Sequence, residues 1–329
     1  MTSTKLRAGF TIVELLTVMS IIIILMSVLV PGLARTRRYA KNVVQHGQFN
    51  EIAKGLELYR NDHQETYPDS GATDSNSNGY CGAMKLCEAL LGQDGMGNDP
   101  ASNFQASQPL TYLFDLCYVT QPTVYTPPTT PQGLLLAASI RNRTKYVEAE
   151  SVKPYRLQDI YSWAITTATP FYAPSTGTGQ FKTDDGSATI PSTYPNAVIG
   201  DVFQKATISS AHCKARPGQK VGMPVLYYKA DSSKIAHDAV TTPLPGTPNT
   251  NIYNFDDNYA ITGLGCPWDV AMATESHPMY TDTTLFLKAI TNDKVPSTPQ
   301  PHNADGYILL SAGWDGLYGT QDDVYNFAR

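Results

Sequence analysis

Two sets of carboxylates stand out by type and spacing. Near the C-terminus, the stretch SAGWDGLYGTQDDVYNF (311–327) carries Asp315, six intervening residues, then Asp322 and Asp323. Gly313, Gly316 and Gly319 are interleaved with them. Three carboxylates this close repel one another unless water solvates them or a cation bridges them. Glycines let such a loop fold back, so that backbone carbonyls also point inward. Oxygen ligands in a flexible loop suit calcium better than magnesium. Zinc would want His or Cys, and the loop has neither. A solvated acidic turn is the alternative. The second set is one residue. From Phe10 to Val30 every side chain is apolar or small and uncharged except Glu14. An acid inside hydrocarbon is costly, and such residues usually have a partner.

Other chemistry-bearing residues give weaker patterns. Asp74-x-Asn76-x-Asn78-Gly79 opens like an EF-hand calcium loop, but the twelfth position is Lys85 where a bidentate Glu is needed. The stretch GQDGMGNDP (92–100) is another Gly/Asp turn. The cysteines are Cys81, Cys87, Cys117, Cys213 and Cys266, without a CxxC motif. In an oxidising compartment Cys81 could pair with Cys87, and Cys213 with Cys266. Buried thiols are the equal alternative, since sequence does not fix connectivity. The six histidines are scattered, and no G-x-S-x-G, H-E-x-x-H or phosphate-loop motif occurs. No enzyme is expected.

The elements that must position these groups begin at the N-terminus. The 21-residue apolar run would span about 31 Å as a helix, the thickness of a bilayer's hydrocarbon. It is too long for the core of a secretory signal and has no small-residue cleavage site at its far end. Lys5 and Arg7 precede it, whereas Arg35, Arg37, Arg38 and Lys41 come after it, so charge counting leaves the orientation open. Pro31 removes a helix hydrogen bond and predicts a bend or a melted turn beside Gly32. Apolar residues at three- and four-residue steps, from Leu33 to Tyr59, predict that the helix continues to residues 62–64. Gly47 and Gly55 weaken it by about 1 kcal/mol each. Beyond it, GMPVLYYKAD (222–231) and YILLSAG (307–313) read as strands, and TDTTLFLKAITND (281–293) as a short helix. The Pro/Thr segment TQPTVYTPPTTPQ is a loop or extended linker.

Composition is consistent with a loop-rich fold rather than a bundle. Charged residues make up 16% of the 329, against a usual value of about 25%. The net charge is -5, which argues against nucleic acid as a partner.

The N-terminal spacing, AGFTIVELL with Pro31 downstream, resembles the processing site of type IV pilins and of type II secretion pseudopilins. In that family a short basic leader ends in Gly, and a prepilin peptidase cuts on the cytoplasmic side and methylates the new terminus, commonly Phe. The resemblance implies cleavage between Gly9 and Phe10. Glu14 becomes the fifth mature residue and Pro31 the twenty-second, where the family carries its glutamate and, often, its proline. Glu14 would then meet the ammonium of Phe10 on its own chain or on the next subunit, and the family favours the next subunit. The stretch LELYRNDHQETYP, where a helix ends in Tyr67-Pro68, is also similar to pseudopilins. So is the C-terminal loop, which resembles the calcium site of the major pseudopilin. Carried over by position, the ligands are Asp315, Asp322 and Asp323, with the backbone carbonyls of Ala312 and Thr320.

The expected architecture is an α+β, pilin-like fold: a long N-terminal helix, its first half in the membrane, packed on an antiparallel sheet head with long loops. The expected parts are a leader (1–9), a transmembrane half-helix (10–31), an amphipathic half-helix (32–64), an enlarged loop-rich insertion (65–220) and a sheet head with the calcium loop (221–329). The resemblance implies a filament subunit of a type II secretion pseudopilus, in the inner membrane with its N-terminus cytoplasmic and its head periplasmic. Its partners would be copies of itself, other pseudopilins, the prepilin peptidase, the inner-membrane assembly platform and, before assembly, the lipid. The alternative is a pilin or minor pilin of an extracellular fibre used for adhesion or ligand binding.

Overall fold

The computed structural model describes residues 11–72, 80–92, 95, 97–98, 104, 143–160, 197–208, 218–238, 249–264, 277–292, 294 and 299–327. Helix α1 spans Ile12–Asp62. It passes through Pro31 without a break in helical structure, so the expected melted turn does not form. The chain divides into two compact units at Val43 and Val44. In the first, every apolar side chain described from Ile12 to Val43 is at least partly exposed, with Ile12 at 82% and Leu25 at 63%. That stretch is long and apolar enough to cross a membrane.

The second unit is a layered α+β head. Its portion of α1 buries Phe49, Ile52, Leu56 and Tyr59, a stripe at three- and four-residue steps. Gly55 lies within this stretch because a Cβ there would stand 2.3 Å from Val147. The later elements are α2 (Gly82–Leu91), α3 (Ala149–Val152), β1 (Pro154–Arg156), α4 (Leu157–Ile160), β2 (Ala197–Ile199), β3 (Ala206–Thr207), β4 (Lys220–Val221) and β5 (Leu226–Lys229). Next come a 3-10 turn (Phe255–Asn258), α5 (Tyr259–Thr262), α6 (Pro278–Thr281), α7 (Thr284–Ile290), β6 (Tyr307–Ser311) and β7 (Val324–Tyr325).

The main sheet is antiparallel, in the order β5-β6-β7, with Leu226 opposite Leu310 and Leu310 opposite Tyr325. Successive strand residues point to opposite faces. Leu226, Tyr228, Ile308, Leu310 and Tyr325 therefore join one core, with Phe286 and Ile290 of α7. Tyr227, Tyr307, Leu309 and Val324 join another, with the α1 stripe and Leu86 and Leu90 of α2. β1 pairs with β2, and β3 with β4, as two-stranded ribbons.

The described parts of the 65–220 region include residues that belong to the core of this head. All ten residues of α2 are buried, and they contribute to both cores. β2 also lies in the interior, with Val198 and Ile199 fully buried.

Candidate functional site

The C-terminal loop leaves β6 at Ser311 and returns through β7. Its start is pinned from within the head. Buried Asp201 accepts hydrogen bonds from the N–H groups of Phe203 (3.0 Å) and Met223 (3.2 Å), and from the Ser311 hydroxyl (2.8 Å). The middle is pinned by Tyr318, whose hydroxyl donates to the Pro224 carbonyl and whose N–H donates to His277 Nδ1 at 3.3 Å. Gly313, Gly316 and Gly319 all have positive φ (65°, 80° and 95°), the region that side chains other than glycine rarely enter. At Gly313 a Cβ would also lie 2.1 Å from the Asp322 carbonyl oxygen.

That backbone brings Asp315 and Asp322 together. The Asp315 N–H donates to Asp322 Oδ2 at 2.8 Å, and the Thr320 hydroxyl donates to Asp322 Oδ1 at 2.6 Å. Burial, and then the facing Asp322 carboxylate, push the Asp315 carboxyl above its usual range. Asp322 also feels burial, but hydrogen bonds from Thr320 and Asp315 outweigh it and hold its carboxyl below the usual range. Such a pair suits a shared proton or a hard cation.

Asp323 has a different place. Its Oδ2 accepts from the Gly319 N–H at 2.8 Å and from the Tyr325 hydroxyl at 3.4 Å. The Ala312 carbonyl accepts from the Gly316 N–H at 3.2 Å. Among the described residues, no group of three His, Cys, Asp or Glu side chains is gathered as a metal cluster. The loop thus brings two of the three sequence-derived carboxylates together and uses the third to close its own turn.

At the other end, Glu14 has a partner within its own chain. Its Oε2 accepts from the Thr11 N–H at 2.9 Å and the Thr11 hydroxyl at 2.8 Å, while Thr11 Oγ1 lies 3.2 Å from the Glu14 N–H. This is a capping box, in which N-cap and N3 side chains satisfy each other's backbone donors. Its sequence signal, Thr-x-x-Glu ahead of an apolar run, was open to detection and is masked by the more conspicuous question of an acid in hydrocarbon. Gly9 and Phe10 lie outside the described residues.

A third polar cluster is buried in the head. Lys85 of α2 is buried, and its ammonium pairs with Asp69. The Ser70 hydroxyl donates to Asp257 and accepts from the Lys229 N–H at 2.9 Å. Burial pushes the Asp257 carboxyl up to about 7, with Asp69 and Asp256 adding to the rise and Ser70 and Lys85 opposing it. The neighbouring Asn258 accepts from the Ala83 N–H at the start of α2 (2.8 Å) and donates to the Tyr227 carbonyl (2.7 Å).

The remaining candidates resolve less favourably for chemistry. Cys81 and Cys87 are not bonded to each other: both are buried thiols, which burial pushes up to about 12. Cys81 stands just before α2 and Cys87 within it, so the helix separates them by about 9 Å, beyond disulfide reach. Cys117, Cys213 and Cys266 lie outside the described residues, as do Asp74, Asn76, Asn78 and Gly79. Lys85, the twelfth position of that calcium-loop pattern, belongs to the buried cluster. Comparison with protein families, with curated proteins and with solved structures gives no match.

Proposed function

We propose that the chain is a non-enzymatic filament subunit of the type IV pilin-like class, closest in kind to the major pseudopilin of type II secretion. The observation that carries this reading is the N-terminal helix. It opens on a capped glutamate, continues as a span of exposed apolar side chains, and runs without a break to Asp62 in a folded head. An ordinary anchor needs no more of Glu14 than its cap with Thr11. A subunit that leaves the lipid to pack against its own copies has a further use for it, because the acid can receive the ammonium at Phe10 of a neighbour. Assembly on an inner-membrane platform, with other pseudopilins, is the work of the chain in this reading. The head stands in the periplasm, where the growing filament drives protein export.

Calcium at the C-terminal loop belongs to the same proposal. Asp315 and Asp322 would hold it, with the Thr320 hydroxyl beside them. The ion would supply charge neutralisation for a facing carboxylate pair and so fix the loop. Asp323 serves that loop through the Gly319 N–H.

Two measurements test this. Intact mass of the protein from its native membrane should show a chain starting at methylated Phe10. A chain retaining Met1 to Gly9, in cells with an active peptidase, refutes the subunit reading. Long external filaments with unimpaired export would instead place the chain in a surface fibre. For the loop, millimolar calcium should raise the melting temperature of the full chain. Asp315→Ala with Asp322→Ala should abolish that rise. Asp323→Ala should lower stability with or without the ion, by about 1–3 kcal/mol for a lost acceptor. Equal melting temperatures for the unaltered chain with calcium and with chelator would remove calcium from the account.

A further inference from the structure

We propose that the basic face of α1 just past its apolar span docks the phosphates of anionic phospholipids, in the leaflet on the side of the head. The inference rests on the membrane-spanning part of the proposed function. Between Glu14 and Glu51 the chain has no acidic residue, yet it carries Arg35, Arg37, Arg38 and Lys41. No Glu or Asp therefore stands three or four residues from Arg35 or Arg37 to make the usual intrahelical pairs. The helix is continuous through this stretch, which fixes the angular positions of the four cations. At about 100° per residue they fall within an arc of about 160°, with Leu33, Tyr39, Ala40, Val43 and Val44 on the remainder. Arg35, Arg37 and Arg38 are exposed.

Depth along the helix selects the occupant. The first twenty residues, Ile12 to Pro31, fill about 30 Å of hydrocarbon. Arg35 then stands about 6 Å beyond the hydrocarbon edge, at the level of the headgroups. The other three lie within about 9 Å further, and long basic side chains reach back toward the interface. Phosphates are the acids found at that depth in any bilayer, and anionic lipids add net charge there. Four bases on the side opposite the N-terminus also run against the usual bias toward basic residues on the cytoplasmic side. Lipid phosphate meets those charges at their own depth before any other subunit is present.

The test uses the full-length chain in nanodiscs of phosphatidylcholine with roughly a quarter phosphatidylglycerol. Lipids retained after mild delipidation are counted by native mass spectrometry. The unaltered protein should retain phosphatidylglycerol about three-fold above its bulk share. The combined Arg35→Gln, Arg37→Gln, Arg38→Gln and Lys41→Gln variant should retain it at the bulk share. Changing Arg35, Arg37 and Arg38 to Lys should keep the enrichment. A bulk-share count for the unaltered protein overturns the proposal, as does enrichment that survives in the Gln variant. Cross-linking of these bases to carboxylates of a second copy, without lipid enrichment, overturns it in favour of a subunit partner. Protease cleavage within residues 12–31 of the reconstituted chain overturns the spanning helix itself, a result separable from a missing lipid preference.

Discussion

Glu14→Ala is expected to leave the leader cleaved after Gly9 and to abolish filament assembly. Two roles are lost together in that variant. One is local. The capping box with Thr11 disappears, at about 1 kcal/mol of helix stability. The other is intermolecular. In the proposed filament, an ammonium entering the apolar layer would find its charge partner only where a neighbour's Glu14 stands, so the acid would select register as well as contact. Glu14→Gln separates the two. Its amide oxygen keeps an acceptor for the Thr11 N–H, while the charge is gone. Assembly should fail in both variants if charge pairing governs it. Filaments in the Gln variant but not the Ala variant would assign the effect to the cap. Normal filaments in both, counted by electron microscopy against matched amounts of mature protein, would dismiss the pairing idea.

The parts legible in the sequence were those with local patterns. β5 and β6 follow from their β-forming runs, α7 from TDTTLFLKAITND, and the end of α1 at Asp62 from its apolar steps. Helix α2 was missed because it is short and its charged positions, Lys85 and Glu88, turn to Asp69 and Tyr80 inside the head rather than to water. At the C-terminus the D-x6-D-D spacing singles out the loop but not its internal pairing. Which carboxylates face each other is decided by three positive-φ glycines, and Asp323 is drawn off by the Gly319 N–H. Spacing alone cannot express that. The Ser70–Asp257 contact joins residues 187 apart, so no local signal announces it.

That contact sets the second large effect. Stability of the head should fall as pH rises from 5 to 8, and Asp257→Asn should remove a large part of the fall. Asp257 is fully enclosed, with its carboxyl raised from an ordinary 3.8 to about 7. Below pH 4 it is protonated whether the chain is folded or not, and it costs nothing. Between about 4 and 7 the unfolded chain releases the proton and the folded chain retains it. The unfolded state then binds fewer protons, so stability declines with pH through that window. The full displacement corresponds to about 4 kcal/mol by pH 8. Lys85 offsets part of the charge, but its ion pair is with Asp69, and Asp256 and the buried Tyr227 and Tyr228 lie close by. Among the described residues, Lys85 is the only cation that acts on Asp257, and it is shared with Asp69. Asparagine preserves the shape and accepts the Ser70 hydroxyl without titrating. Urea unfolding of the full chain in detergent should therefore give the most similar midpoints for the two proteins near pH 4. At pH 8 the Asn variant should be the more stable. Parallel pH profiles would mean that Asp257 stays ionised in the folded head, and that Ser70 and Lys85 suffice to carry its charge.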